Sequence, residues 1–374
     1  MDGLHTAKRK TKPPLNVWLL ILVSGLIPAV LFLFFFYEWY NQRSDLRRLT
    51  SYFVQRQNSV LAFNAMEVST NFADLLEKAG RDVLVLSVVP PTADNLLKFY
   101  KAQLGDFTHF DAKNGNIVQE PLPFYNRIAF LNAKGDALLR IKNSVVNTRV
   151  LPLNECQMAE LCDRTLFEKA VRLPIGEMYY GRIMRFYSPK AEEEQDDGAS
   201  LSVAYRTEKG IYVLGIDYRH LRDHLTTPVF PYEPKRDLID AYNRGNYIYI
   251  VDEQNNIITH PLYWDAAGID RKSGKWAVPM RDDSENGKGP INVATYEHGS
   301  LREQFDRFLK NSFTQRGVDI FRARNMDGIS RVISVSPILM SKGQFKKDGV
   351  FGHAIVSCNV DYFEEPKEKI VPYY

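Results

Sequence analysis

Cysteine is scarce in this chain, since Cys156, Cys162 and Cys358 are the only three among 374 residues. Three thiols are too few for a disulfide scaffold or a four-thiolate metal site. A charge excess of one sign is also lacking, because 48 Lys and Arg residues face 45 Asp and Glu residues, for a formal net charge of +3. Dedicated nucleic-acid-binding proteins usually show a strongly basic face. We therefore expect no nucleic-acid partner.

The motifs of common enzyme active sites are also missing. The sequence has no GxSxG nucleophile elbow, no P-loop and no GxGxxG fingerprint. His220 and His224 are four residues apart on a predicted helix, but Leu221 stands where an HExxH metalloprotease needs Glu, and no third ligand is identifiable. The alternative is two polar residues on a solvated helix face. We predict that the protein is not an enzyme and that it holds neither metal nor cofactor.

One long apolar run stands near the N-terminus. No charged residue lies between Lys12 and Glu38, and a helix over residues 15–37 would be about 34 Å long. That length spans a hydrocarbon core of about 30 Å. The rival interpretation is a cleaved signal peptide, whose apolar region is usually about 7–15 residues long and is followed by small residues. Here the run is longer and ends in LFLFFFYEWY, so we predict an uncleaved anchor.

Basic residues precede this run, at Lys8, Arg9, Lys10 and Lys12. The positive-inside rule then leaves the N-terminus in the cytoplasm. We predict a cytoplasmic tail over residues 1–14, a transmembrane helix over 15–38, and a bulk that lies in the periplasm or outside the cell. The protein is thus expected in a bacterial inner membrane with a single pass.

A helical stretch follows the apolar run. Between Tyr40 and Leu86 there is no proline, and Gly80 is the only glycine. We predict a stalk helix over residues 39–89, ended by Pro90-Pro91. Some of its apolar residues fit a heptad seam: Leu46, Leu49, Phe53, Val60 and Phe63. This seam indicates either packing of the helix on its own domain or a homodimer formed through the stalk.

Beyond residue 90 the pattern is typical of antiparallel strands. NRIAFLNAKGDALLRIKN predicts a strand over Arg127–Leu131, a turn over Asn132–Asp136 and a strand over Ala137–Ile141. A proline-rich linker near 226–236 precedes a second set of strands that begins with NYIYIVDEQNNIITHP. We therefore predict an α+β protein with two sheet modules, followed by a short tail. The predicted ranges are 90–230, 231–365 and 366–374.

This order of elements resembles the double Cache (dCache) extracellular sensor family. RIAFLNAKGDALLRI resembles the hairpin of the membrane-distal module, and GIYVLGIDYRHL resembles that module's last strand. NYIYIVDEQNNIITHPLYW resembles the start of the membrane-proximal module. The resemblance implies two tandem PAS-like (Cache) antiparallel sheets of about five strands each. It also implies a distal module that binds a small ligand such as an amino acid, a carboxylate or an amine.

A pocket for such a ligand needs a cation, a carboxylate and aromatic walls. The predicted strand over residues 179–187 offers aromatic and cationic side chains on both faces, since alternation groups Tyr180 with Arg182 and Arg185 with Tyr187. The resemblance places Asp217 where amino-acid-binding members hold the ligand amine, although their tyrosine-arginine-tryptophan signature is absent. The predicted ligand-binding residues are Tyr125, Arg127, Tyr180, Arg182, Arg185, Tyr187 and Asp217. The alternative for Arg185 and Asp217 is a structural ion pair or exposure to solvent.

Typical members of the family return through a second membrane helix to a cytoplasmic output domain. This sequence shows no second apolar run of that kind, so we expect the signal to pass to a separate signalling protein. The alternative function is an anchored, exported scaffold that binds another protein without sensing a ligand. His260 either contacts a ligand or caps a turn, and Cys156 and Cys162 form either a disulfide or two thiols.

Overall fold

The computed structural model describes residues 15–111, 116–142, 144–153, 164–185, 199–223, 246–253, 256–259, 317–324, 329–347 and 349–360. Within these ranges, side chains are not described at 15–21, 107–118, 164–165, 182–185, 199 and 222–223. The chain divides into two units, residues 1–56 and residues 57–374. The His260 motif, His224, Tyr187 and the pair Cys156 and Cys162 lie outside the described residues.

Four helices are described. The first, α1, carries Pro28 near its start and ends just before Pro90-Pro91, as the sequence predicts. The second is capped by the preceding residue, Thr92, whose hydroxyl accepts a hydrogen bond from the backbone N–H of Asn95. The helices are α1 (Leu15–Val88), α2 (Ala93–Ala102), α3 (Arg164–Arg172) and α4 (Tyr218–Asp223).

The apolar part of α1 has the properties of a membrane span. Of the described helices it alone is long and apolar enough, with a window of mean hydropathy 1.8. Its side chains from Leu22 to Tyr37 are exposed. An exposed apolar surface of this extent is unusual for a helix that lies in water.

Thirteen strands are described, and all of their pairings are antiparallel. They are β1 (Leu104–Asp111), β2 (Asn116–Pro123), β3 (Tyr125–Leu131), β4 (Ala137–Lys142), β5 (Val145–Asn147), β6 (Met178–Arg185), β7 (Ala199–Thr207), β8 (Gly210–Asp217), β9 (Tyr247–Asp252), β10 (Ile257–Thr259), β11 (Asp319–Arg324), β12 (Ser330–Leu339) and β13 (Val350–Asn359).

The strands form a ribbon and two sheets. β1 and β2 pair as a ribbon. The first sheet has six strands in the order β5-β4-β3-β8-β7-β6, and the second has five in the order β10-β9-β13-β12-β11. The α+β prediction and the antiparallel character of both sheets are confirmed. The first sheet has one strand more than the resemblance implies, because the short β5 adds to the edge of β4.

Both sheets pack against the C-terminal part of α1. Buried apolar residues recur at helical spacing from Leu61 through Phe72 to Leu86. They belong to one core cluster with Ile128 and Leu214 of the first sheet and with Val356 of the second. Cys358 of β13 is buried in the same cluster. One face of α1 therefore packs on its own domain over this stretch.

The first hairpin of each sheet is closed by the same chemistry. In the first sheet the Asn132 side-chain amide donates to the Asp136 carboxylate at 2.8 Å. In the second sheet the Asn256 amide donates to the Asp252 carboxylate at 2.9 Å, so the two residue types have exchanged places. In both hairpins the side-chain oxygen of the first residue also accepts a backbone N–H four residues on. Such local bonds fix the turn and hence the strand register.

Candidate functional site

The two faces of the six-stranded sheet have different partners. One face packs on α1 through Ile128, Leu201 and Val203. The opposite face packs on α3 through Ala204 and Val213, which form a second cluster with Leu166, Phe167 and Ala170 of that helix. On this opposite face, the residues that follow Val213 along β8 and precede Ala204 along β7 are small or polar. They form the candidate site.

The first row of the site crosses three strands. The register places Arg127 of β3 beside Gly215 of β8, and Gly215 beside Ser202 of β7. A Cβ at Gly215 would stand 2.6 Å from Cγ of Arg127, so the arginine stem lies across the glycine. The guanidinium then reaches Ser202, donating from Nη2 to Oγ at 2.9 Å. The glycine thus leaves room for a cation that lies flat on the sheet and is almost fully buried.

The next row pairs Ser200 of β7 with Asp217 of β8. Both are buried, with exposures of 0 % and 1 %. Asp217 is held by Arg219, whose Nη2 donates to Oδ2 at 2.9 Å and whose Nε donates to Oδ1 at 3.1 Å. Arg219 also donates to Glu120 on β2 at 3.2 Å. We call Arg127, Ser200, Ser202 and Asp217 the polar patch.

Ser200 is distinctive within the polar patch. Among the described residues, its buried hydroxyl oxygen has no hydrogen-bond partner. A hydroxyl that is removed from water without a partner costs about 1–3 kcal/mol by mutational measures. A ligand group that bonds to this hydroxyl would recover that cost.

Two predicted residues lie on the other face of the sheet. Tyr125 is fully buried and donates its hydroxyl to Asp82 of α1 at 2.6 Å. Burial first, then this carboxylate, raises the pKa of Tyr125 far above its ordinary value. Tyr180 is 2 % exposed, and its hydroxyl lies over Gly80 of α1. The structure therefore brings Arg127 and Asp217 together, and it places Tyr125 and Tyr180 against α1.

The strand β6 departs from simple alternation. Tyr180 pairs with Val203, but Ile183 pairs with Leu201, so one extra residue is inserted into β6 between the two pairs. A bulge of this kind reverses the face order beyond it. The predicted sharing of one face by Tyr180 and Arg182 assumes strict alternation, which the bulge interrupts. Arg182 and Arg185 are described only as backbone positions of β6.

Sequence reasoning missed Ser200, Ser202, Gly215 and Arg219. The signal for the serines was present, because Ser200, Ser202 and Ala204 alternate with the apolar Leu201 and Val203. Small polar residues on one face of a strand leave space above the sheet. No comparable pattern marks Arg219, which reaches Asp217 because the chain turns from β8 into α4 between them.

The second sheet also has buried polar residues on the face that points away from α1. Arg331 is stacked over the ring of Tyr247, with its guanidinium carbon 4.9 Å from the ring centroid. On β13, the strand between those of Tyr247 and Arg331, His353 is 1 % exposed. Burial lowers the pKa of His353 to about 4.

The low pKa of His353 makes the stability of the fold depend on pH. The folded protein binds fewer protons at this ring than the unfolded chain, whose histidine has an ordinary pKa of 6.5. The contribution of this ring to the free energy of unfolding is therefore complete above pH 6.5 and is lost as the pH falls toward 4.

We expect the free energy of unfolding to fall by about 2 kcal/mol between about pH 7.5 and pH 5 because of His353. Chemical denaturation of wild type and His353→Gln measures it. If the free energy of unfolding falls equally steeply in both proteins, His353 is not the cause of the pH dependence.

The chain was compared with known proteins by sequence and by structure. No family model and no curated protein matches it. Solved structures do match. The periplasmic sensory domain of the Campylobacter jejuni chemoreceptor Tlp1 aligns with a TM-score of 0.50 and 9% identity, over 84% of this chain and 98% of that domain.

Two further structures cover similar shares at lower scores. One is a domain of a Vibrio parahaemolyticus protein assigned to the sensory box/GGDEF family, with 15% identity and a TM-score of 0.45, over 84% of this chain and 99% of that one. The other is the ligand-binding domain of the Pseudomonas aeruginosa amino acid chemoreceptor PctC in complex with GABA, with 10% identity and a TM-score of 0.34, over 78% and 94%. The alignment with the Tlp1 domain shows that the long N-terminal helix and the two antiparallel sheets of this chain have the fold of an extracellular sensory domain of the double Cache type.

Proposed function

We propose that this protein is a membrane-anchored extracytoplasmic sensor that binds a small molecule at the polar patch. The ligand class is a carboxylate, an amine or an amino-acid-like compound. Arg127 offers a cation for a carboxylate, Ser200 offers a hydroxyl, and Asp217 offers a carboxylate that Arg219 already engages. The sensory fold supports this role, and the proposed residues come from this chain's own geometry.

One observation carries the proposal. Ser200 and Asp217 are neighbours across two strands, both almost completely buried, on the sheet face that α1 does not cover. Most buried polar groups in folded proteins are bonded, so a serine hydroxyl without a partner beside a buried carboxylate is unusual among the described residues. A site that binds a polar molecule needs such groups, because they fix its orientation.

The rest of the chain completes the proposed sensor. Residues 15–38 anchor it in a bacterial inner membrane with residues 1–14 in the cytoplasm. Residues 39–89 are the stalk, 90–230 the membrane-distal module and 231–365 the membrane-proximal module. Phe63 and Met66 of α1 are 58% and 50% exposed, and we propose that such residues contribute to a homodimer through the stalk. A separate signalling protein then receives the change in stalk packing.

Ligand binding is tested by thermal unfolding of the full-length protein in detergent micelles. The probes are the proteinogenic L-amino acids, γ-aminobutyrate, succinate, malate, acetate and putrescine, each tested alone. A compound at about 100 times its dissociation constant should stabilise the protein by about 2.7 kcal/mol. We expect at least one probe to do so. Ser200→Ala should weaken its affinity about fivefold to tenfold, because one hydrogen bond is lost.

Ser334→Ala is the matched control. Ser334 is also fully buried in a strand, and among the described residues its hydroxyl oxygen has no hydrogen-bond partner either. It lies on the second sheet, so the control should bind the probe as wild type does. A probe whose binding survives Ser200→Ala unchanged would contradict the proposed site. If no probe shifts the transition, the anchored scaffold becomes the better account.

A further inference from the structure

A short segment of the second sheet module contacts the edge strand of the first sheet. Among the described strands, β6 is the last in the order of the first sheet, and no described strand pairs with its outer edge. A 3-10 turn at Gly343–Phe345, between β12 and β13, lies against it. Gln344 accepts from the backbone N–H of Tyr180 at 3.0 Å and donates to the carbonyl oxygen of Tyr180 at 2.7 Å. The Gln344 amide thus makes the two backbone hydrogen bonds with Tyr180 that one residue of an additional edge strand would make.

The approach is close because two glycines border the Tyr180 ring. A Cβ at Gly343 would stand 3.0 Å from the carbonyl oxygen of Met178 and 3.0 Å from the Tyr180 ring, and the φ of Gly343 is +63°. On the other side, a Cβ at Gly80 would stand 2.5 Å from the Tyr180 hydroxyl. The side chain of Tyr180 is therefore enclosed between α1 and the turn of the second module.

Aromatic rings continue the contact into the second sheet. The centroids of Tyr180 and Phe345 are 6.3 Å apart, and those of Phe345 and Phe351 are 5.3 Å apart. Phe351 belongs to β13 and lies 6.0 Å from Phe72 of α1. A salt bridge joins Lys346 to Glu177 at 2.7 Å, but it is exposed and contributes little. The packed rings and the Gln344 amide are the stronger part of this contact.

We propose that four residues, Tyr180, Gln344, Phe345 and Phe351, couple β6 to the second sheet. We call them the Gln344 joint. Through this joint, local opening of the hydrogen bonds in one of the two promotes local opening in the other. A displacement of β6 then moves the turn at Gly343–Phe345 and, through the packed rings, β13. The coupling between β6 and the second sheet does not require a bound ligand. Its use as the route from the polar patch to the membrane-proximal module rests on the proposed function.

Hydrogen exchange measured by mass spectrometry on the full-length protein in detergent micelles tests the joint. Asn256→Ala removes the amide that closes the β9–β10 hairpin, and it should raise exchange in β9 and β13 about tenfold. Because the joint couples the sheets, exchange in β6 should rise by a similar factor. In a Gln344→Met background, which keeps the side-chain length and removes both bonds, the effect on β6 should disappear while the effect on β13 remains.

Lys347→Met is the matched background, since Lys347 is exposed two residues after the same turn, and it should transmit the effect as wild type does. Coupling is reciprocal, so Asn132→Ala in the first sheet should raise exchange in β13 through Gln344. The inference is overturned if Asn256→Ala leaves β6 unchanged in the wild-type background, or changes it equally when Gln344 is Met. No ligand is present, so neither result depends on whether the polar patch binds one.

Discussion

Replacing Arg219 by Met is expected to lower the free energy of unfolding by about 3 kcal/mol. Asp217 is 1 % exposed, and its carboxylate accepts two hydrogen bonds from the Arg219 guanidinium. Removing the cation leaves a buried negative charge without its partner, which costs more than the intact pair contributes. Denaturant unfolding of the two full-length proteins measures the difference.

A second substitution separates the charge effect from lost packing. The double variant Asp217→Asn/Arg219→Met removes both charges, so it should recover most of the loss. Arg81→Met is a control for an exposed ion pair, since Arg81 lies 3.6 Å from Glu77 with 58% of its side chain exposed. It should change the stability by less than about 0.5 kcal/mol. A double variant as unstable as Arg219→Met alone would mean that packing, not charge, is the cause.

Substituting Gly80 by Ala should have opposite effects in two backgrounds. In the wild type the new methyl group meets the Tyr180 hydroxyl at 2.5 Å, and overpacking of this kind costs about 1–3 kcal/mol. Alanine gains about 1 kcal/mol over glycine inside a helix. We therefore expect a net loss of up to about 2 kcal/mol. In a Tyr180→Phe background the nearest remaining atoms are Met178 Sδ at 3.4 Å and the ring Cζ at 3.6 Å, which are ordinary contacts. Gly80→Ala should then stabilise the protein by up to about 1 kcal/mol.

The double-mutant cycle of Gly80→Ala and Tyr180→Phe gives a coupling energy of about 2 kcal/mol between the two sites. Thermal or urea unfolding of the four proteins measures it. Additive effects, with the same sign for Gly80→Ala in both backgrounds, would show that the Tyr180 ring does not lie over Gly80. Its enclosure in the Gln344 joint would then be wrong as well.

Local chemistry explains what the sequence predicts well. The bonds between Asn132 and Asp136 involve residues four apart, so the hairpin and its strand bounds can be read without knowledge of the fold. Pro90-Pro91 ends α1 for an equally local reason. The segment GIYVLGIDYRHL, which resembles the last strand of the distal module, contains β8.

Contacts between distant segments explain what the sequence does not predict. The face of Tyr180 is decided by the packing of α1 and by the bulge in β6, and neither is visible in the MYYGRIM pattern. Asp217 pairs with Arg219 because α4 begins directly after β8, and this turn of the chain places the Arg219 guanidinium beside the Asp217 carboxylate. The ribbon β1–β2 and the helix α2 were not predicted, since QLGDFTHFDAKNGNIVQEPL lacks strict alternation. Ser200 and Ser202 lie beside Asp217 and Gly215 because of the register between β7 and β8, which the sequence alone does not show.

A hydrogen-exchange footprint can locate the bound ligand on the chain. The full-length protein is labelled with and without the probe that stabilises it, and exchange is compared in every peptide. If the ligand binds at the polar patch, protection increases in β7 and β8, at Ser200–Ser202 and Gly215–Asp217. Protection confined to β9, β12 and β13 of the second sheet, with β7 and β8 unchanged, would contradict binding at the polar patch.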